Sequence, residues 1–273
     1  MKDYFGKDIS SLKMKKLFLF DMDGTIYLGN RLFDGVKELL GKIKNDGGRY
    51  VFITNNSSRS VKDYVEKLQN MGIEVGEDNF FTSTQAAVLL FKEKFGEELI
   101  FAQGTKSFIA ELEKNGLNVT TEYSTDAKAI LVGYDTELTS EKMSVTCQML
   151  TELDVPYYAA NPDWVCPVSF GYVPDCGSMC FGYEKATGKA PIYIGKPQPT
   201  MIYEVMKKFA YQKEEVLVVG DRVYTDIASG VNAGVDTVCV LSGEVTLEEV
   251  KAGEIKPTFT LDSVKDILDE LNA

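Results

Sequence analysis

Residues 17–20, LFLF, form a continuous apolar run that stops at Asp21-Met22-Asp23-Gly24. A short run of this kind fits a strand covered on both faces, as in a parallel sheet, rather than one with a wet side. The pattern recurs. Residues 50–53 (YVFI) run into Thr54-Asn55-Asn56, residues 192–195 (IYIG) into Lys196, and residues 216–220 (VLVVG) into Asp221 with Asp226 behind it. Amphipathic stretches lie between the runs. Residues 34–46 place Val36, Leu39, Leu40 and Ile43 at helical spacing before Gly47-Gly48. Residues 60–71 do the same with Val61, Tyr64, Val65 and Leu68 before Gly72. Further helices are expected near 199–209, 225–233 and 263–271. Strand and helix in alternation predict βαβ units, hence an α/β fold with a doubly wound, Rossmann-like parallel sheet. Residues 1–81 and 188–273 read as two parts of that core. Residues 82–187 carry strands and helices of their own, enough for a small inserted α/β domain. Residues 1–13 read as an extension, loose or docked.

Ligands of open parallel sheets bind beyond the carboxyl ends of the strands. Each run just named delivers a carboxylate, hydroxyl, amide or ammonium there. Composition narrows what such a site can do. The chain has no histidine, which excludes serine triads, histidine-based phosphatases and the usual zinc sites. None of the five cysteines precedes an arginine by six positions, which removes the cysteine-phosphatase loop. The cysteines form no C-x-x-C pair and read as reduced thiols of a cytoplasmic protein. With 41 acidic against 29 basic residues the net charge is -12. That surface repels nucleic acid and anionic membranes, and no apolar stretch approaches the roughly 18 residues of a membrane span.

Carboxylates at Asp21, Asp23 and Asp221 would repel one another if brought together. A hard divalent cation resolves the conflict, and magnesium prefers one or two carboxylates with waters and phosphate oxygens. Lys196 adds a second positive charge for phosphate. Thr54 offers a hydroxyl, and the Asn55-Asn56-Ser57-Ser58 stretch leads toward a helix N-terminus whose free N–H groups favour anions. Gly24 allows the backbone after Asp23 to turn tightly against a ligand. These are the requirements of phosphoryl transfer, which asks mainly for positioning and charge neutralisation. An aspartate nucleophile would divide hydrolysis into formation and breakdown of an acyl phosphate, and Asp23 is the natural acid and base in a chain without histidine.

The segments DMDGT (21–25), ITNN (53–56), IGKP (194–197) and GDRVYTD (220–226) resemble, in this order, the four motifs of the haloacid-dehalogenase-like (HAD) superfamily. The long insert after the second motif resembles the C2-capped branch. The segments ITNNSSRS, ANPD, GYVPDCGS and YIGKPQPTM are similar to NagD-like and 4-nitrophenylphosphatase-like phosphatases. The likeness covers most of residues 14–260. It implies a magnesium-dependent phosphatase of small phosphorylated metabolites. Asp21 becomes nucleophile and metal ligand, and Asp23 general acid and base with its carbonyl on the metal. Thr54 and Lys196 hold the phosphoryl group with help from Asn55, and Asp221 binds magnesium. Asp226 binds it through water or orients its neighbours, and Thr225-Asp226 as a plain helix start is an equal reading. A homodimer through the cap is compatible with the resemblance. In the loop 161–178, Trp164, Tyr172 and Asp175 are weighed evenly between a structural crossing and a substrate pocket. A receiver domain of signalling and a phosphomutase share the core chemistry; Asp23 and the large insert speak against the first, the C2-type insert against the second.

Overall fold

The computed structural model describes residues 1–168 and 170–273, so Ser169 of the loop 161–178 lies outside the described residues. The chain forms two compact units. One comprises residues 1–54, 65–81 and 196–273, the other 55–64 and 82–195.

The first unit is built on a six-stranded sheet. Its spatial order is Phe259–Leu261, Asp236–Val240, Val216–Gly220, Leu17–Phe20, Arg49–Thr54 and Phe80–Thr82. Leu17–Phe20 stands in the middle, parallel to Val216–Gly220 on one side and to Arg49–Thr54 on the other. All four of its residues are buried, as are all five of Val216–Gly220. This is why both read as unbroken apolar runs. The helix Val36–Asn45 buries the four apolar positions its spacing singles out, and Gly47 follows with φ +76. The helix Val264–Asn272 starts at Ser263, whose hydroxyl accepts from the Lys265 N–H while Asp266 reaches back to the Ser263 N–H. The N-terminal extension is docked. Ile9 and Leu12 are fully buried, and the Asp3 carboxylate accepts from the backbone N–H groups of Phe5, Lys7 and Thr260.

The second unit holds a five-stranded parallel sheet, ordered Ile192–Tyr193, Tyr157–Ala159, Ala129–Val132, Ile100–Gln103, Val119–Thr120. Helices Ser83–Phe95, Lys106–Lys114, Ser140–Glu152 and Cys176–Thr187 accompany it, with an antiparallel hairpin of Val165–Val168 and Gly171–Pro174. One expectation is corrected here. The run at 190–195 is not a strand of the core sheet; Ile192 and Tyr193 pair with Tyr158 and Ala159 at the edge of this second sheet. The backbone N–H groups of Ile194 and Gly195 then donate to Ala159 and Ala160. The chain therefore runs alongside the second sheet up to Gly195, and Lys196 is the first residue back in the core unit. A two-residue edge strand has no burial pattern that tells one sheet from another.

Candidate active site

Asp21 continues the central strand, its N–H donating to the Val219 carbonyl at 2.8 Å. Its half-buried carboxylate faces Lys196, whose Nζ lies 2.6 Å from Asp21 Oδ1 and 3.2 Å from the Ile53 carbonyl, and also donates to Asp226. One ammonium, 3% exposed, thus gathers groups from the ends of three neighbouring strands. Burial opposes its charge, but Asp21 and Asp226 outweigh burial, so its pKa lies above the ordinary lysine value.

Asp221 follows the strand Val216–Gly220 and is 2% exposed. Its Oδ2 accepts the Glu244 N–H at 2.8 Å and its Oδ1 the Thr25 hydroxyl at 3.3 Å. Burial, then the nearby Asp21 and Asp226 carboxylates, push its pKa up to about 8. Asp226 sits in a wide turn, Val223–Ile227, leading into the helix Ala228–Ala233. Burial and Asp21 raise its pKa to about 6 against the pull of Lys196. Both readings of Thr225-Asp226 hold in part: Asp226 stands in the first turn of Val223–Ile227, where its carboxylate accepts the Arg222 N–H at 3.1 Å, and the same carboxylate faces Lys196.

Asp21, Asp221 and Asp226 each offer an oxygen, and these atoms all lie within 4.8 Å of one another. When ionised, the three carboxylates and Lys196 sum to two negative charges. Hard oxygen donors with a residual charge of that size suit a hard divalent ion such as magnesium. The residues present fit that cofactor.

Asp23 stands apart from this trio. Asp23 is an exposed residue whose carboxyl is nonetheless desolvated by its neighbours; that desolvation, with Asp21 nearby, raises its pKa above the carboxylate norm, while Lys67 and a hydrogen bond from Tyr27 partly offset it. Gly24 has φ +85, and a Cβ built there would lie 2.3 Å from Asp221 Oδ2. Only glycine permits both the left-handed turn and that approach. Thr54 ends its strand, buried at 7% exposure. Asn55 and Asn56 belong to the second unit. There the Asn55 amide donates to Asp163 at 2.9 Å, and the Asn56 side-chain oxygen accepts from Ser58. Asp175 caps the helix Cys176–Thr187, a structural task, while Trp164 packs edge-on against Phe181 and Tyr172 is exposed on the hairpin.

Sequence reasoning did not single out Thr25, Tyr27, Gly243 or Glu244. Gly243 is packed as closely against Asp221 as Gly24, since a Cβ there would lie 2.0 Å from Asp221 Oδ2. The Ser242 hydroxyl donates to the Gly24 carbonyl at 2.7 Å, so the loop after Asp236–Val240 closes on the turn after Leu17–Phe20.

Sequence models of two related kinds match the chain: haloacid dehalogenase-like hydrolase over residues 18–118 and HAD-hydrolase-like over residues 193–267. The protein belongs to the HAD-like hydrolases. Among its relatives, this HAD hydrolase is 31% identical over 255 residues to a 5'-nucleotidase of Bacillus subtilis, covering 93% of this chain and 98% of that one. It is 29% identical to an acid sugar phosphatase of Staphylococcus aureus, covering 95% and 99%. The crystal structure of a 4-nitrophenylphosphatase from Thermotoga maritima superposes with a TM-score of 0.90 at 36% identity, covering 96% of this chain and 99% of that one. Within the family it is a NagD-like phosphatase, a hydrolase.

Proposed function

We propose that this HAD hydrolase removes phosphate from small phosphomonoesters (sugar phosphates, nucleotides and aryl phosphates such as 4-nitrophenyl phosphate) through an aspartyl-phosphate on Asp21, with magnesium as cofactor. The observation that carries the reading is the convergence of Lys196 on Asp21 and Asp226, with Asp221 in the same cluster. The names of the three relatives support the substrate class.

Asp21, Asp221 and Asp226, with the Asp23 carbonyl, would hold the magnesium ion. When bound, it supplies positive charge against the phosphate dianion and the surrounding carboxylates. Lys196 holds a phosphoryl oxygen and keeps Asp21 oriented. Thr54 and Gly24 complete the phosphate contacts. An Asp21 oxygen attacks phosphorus and the bond to the leaving oxygen breaks, while Asp23 gives its proton to that oxygen. Asp23, now a carboxylate, takes a proton from water as water attacks the acyl phosphate. Inorganic phosphate leaves and Asp21 is restored. The raised pKa of Asp23 keeps a larger share of the acid form available near neutrality than an ordinary aspartate has.

The test is phosphate release from 4-nitrophenyl phosphate and a panel of sugar phosphates and nucleotides, with magnesium or with EDTA. Release that EDTA abolishes, and that Asp21→Asn loses by about 10³-fold or more, is expected. A wild-type rate in Asp21→Asn would remove the nucleophile from this account.

A further inference from the structure

The acid–base role proposed for Asp23 demands more order than its surroundings offer. Asp23 is an exposed residue and lies outside the Asp21, Asp221 and Asp226 cluster. Among the described residues, the Tyr27 hydroxyl, 3.2 Å from Oδ2, is the one hydrogen-bond partner of that side chain. Tyr27 is well placed to be rigid. It is fully buried, and its backbone belongs to the same turn as Asp23. The Gly24 N–H donates to the Tyr27 carbonyl at 2.8 Å, and the Tyr27 N–H to the Met22 carbonyl at 3.2 Å. The Lys67 ammonium, from the helix Val61–Asn70, lies over the ring, 3.6 Å from its centroid. A cation on the ring face holds the ring by electrostatic attraction to its π-system.

We infer that Tyr27 is the positioning residue of the acid–base step. By holding Asp23 Oδ2 it aims Oδ1 at the leaving-group oxygen. A phenol hydroxyl can donate to Oδ2 whether Oδ1 is protonated or not, so the orientation persists through both halves of the reaction. In the first half the Oδ1–H bond breaks and its proton goes to the leaving oxygen as that oxygen parts from phosphorus and Asp21 bonds to it. In the second, a water O–H bond breaks, Oδ1 takes the proton, and the water oxygen displaces Asp21 from phosphorus. The inference rests on the acid–base reading of Asp23 given above.

Leaving groups supply the test. Nitrophenolate departs with little need of a proton, whereas an alkoxide needs one. The quantity kcat/KM, which reports the steps up to phosphoryl transfer, is measured for Tyr27→Phe over a series of monoesters from 4-nitrophenyl to alkyl phosphate. Tyr27→Phe keeps the buried ring. The alkyl phosphates should lose about 10-fold or more of kcat/KM, a share of what a general acid contributes, while 4-nitrophenyl phosphate stays within about 3-fold. Asp23→Asn should show the same skew, larger. Equal losses across the series, or none, would overturn the positioning role and leave Tyr27 a packing residue. A flat series for Asp23→Asn would remove the acid role itself and the inference with it, so the two failures are told apart. Should Tyr27→Phe unfold, Lys67→Met, which frees the ring from outside, must produce the skew on the plateau of the pH profile, where the charge Lys67 removes from beside Asp23 no longer alters its protonation, and a uniform loss there overturns the role equally.

Discussion

At the scale of single residues, the site depends on backbone that only glycine provides. Gly24 combines φ +85 with a Cβ position 2.3 Å from Asp221 Oδ2. Gly24→Ala is therefore expected to cost about 1–2 kcal/mol from the left-handed conformation alone. It should also displace Asp221, raising the magnesium concentration for half-maximal rate by about 10-fold or more, as disturbance of groups around a metal ligand does. A magnesium titration of activity alongside thermal unfolding checks both, and an unchanged titration would separate Gly24 from the metal centre. Asp21 and Asp221 were legible in the sequence because each is a charged group directly after an apolar run, whereas Asp226, five residues beyond Asp221, was legible only as part of GDRVYTD. Tyr27, Gly243 and Glu244 were not. Tyr27 acts through a hydroxyl on a side chain whose ring is ordinary core, and Glu244 acts on Asp221 through its backbone N–H, which no residue type announces. Asn55 and Asn56 were legible as polar residues after a strand. Their side-chain contacts within the second unit, to Asp163 and Ser58, depend on distant or local partners that spacing cannot reveal.

At the scale of elements, periodicity served best where one element meets one environment. Leu17–Phe20 and Val216–Gly220 are buried throughout, and the helix Val36–Asn45 buries the face its spacing predicts. The expected helix at 60–71 is Val61–Asn70, with Val61, Tyr64 and Leu68 buried and Val65 only partly so. Periodicity failed at Ile192–Tyr193, where the apolar run is real but the sheet was misassigned. Hydrophobic pattern records that a strand is covered, not which neighbour covers it. The expected helix at 225–233 proves to be a wide turn followed by a short helix. Such a turn is a recurrent feature of functional sites; here it carries the Asp226 carboxylate to Lys196.

At the scale of the whole molecule, the chain matches its relatives over nearly their full length, and both units lie within the region of likeness. Among the described residues no helix is long and apolar enough to cross a membrane. The crowding of carboxylates has a global consequence in the metal-free protein. Asp221 and Asp226 hold protons up to about pH 8 and 6, whereas carboxyls of the unfolded chain ionise near 4. Above pH 4 the folded state thus binds more protons than the unfolded one, and its stability falls as pH rises through that window. In EDTA the melting temperature should be higher at pH 5.5 than at pH 8.5, with magnesium raising it most at the higher pH. A pH-independent melting temperature in EDTA would contradict the crowding.

The most direct test of the central claim is chemical capture of the intermediate. Enzyme mixed with magnesium and a fast substrate is quenched in acid and reduced with borohydride, which converts an aspartyl phosphate to homoserine, and the peptides are mapped by mass spectrometry. The account predicts homoserine at position 21, absent with EDTA and absent in Asp21→Asn. Rapid turnover with Asp21 unmodified, or with the modification at another aspartate, would contradict it.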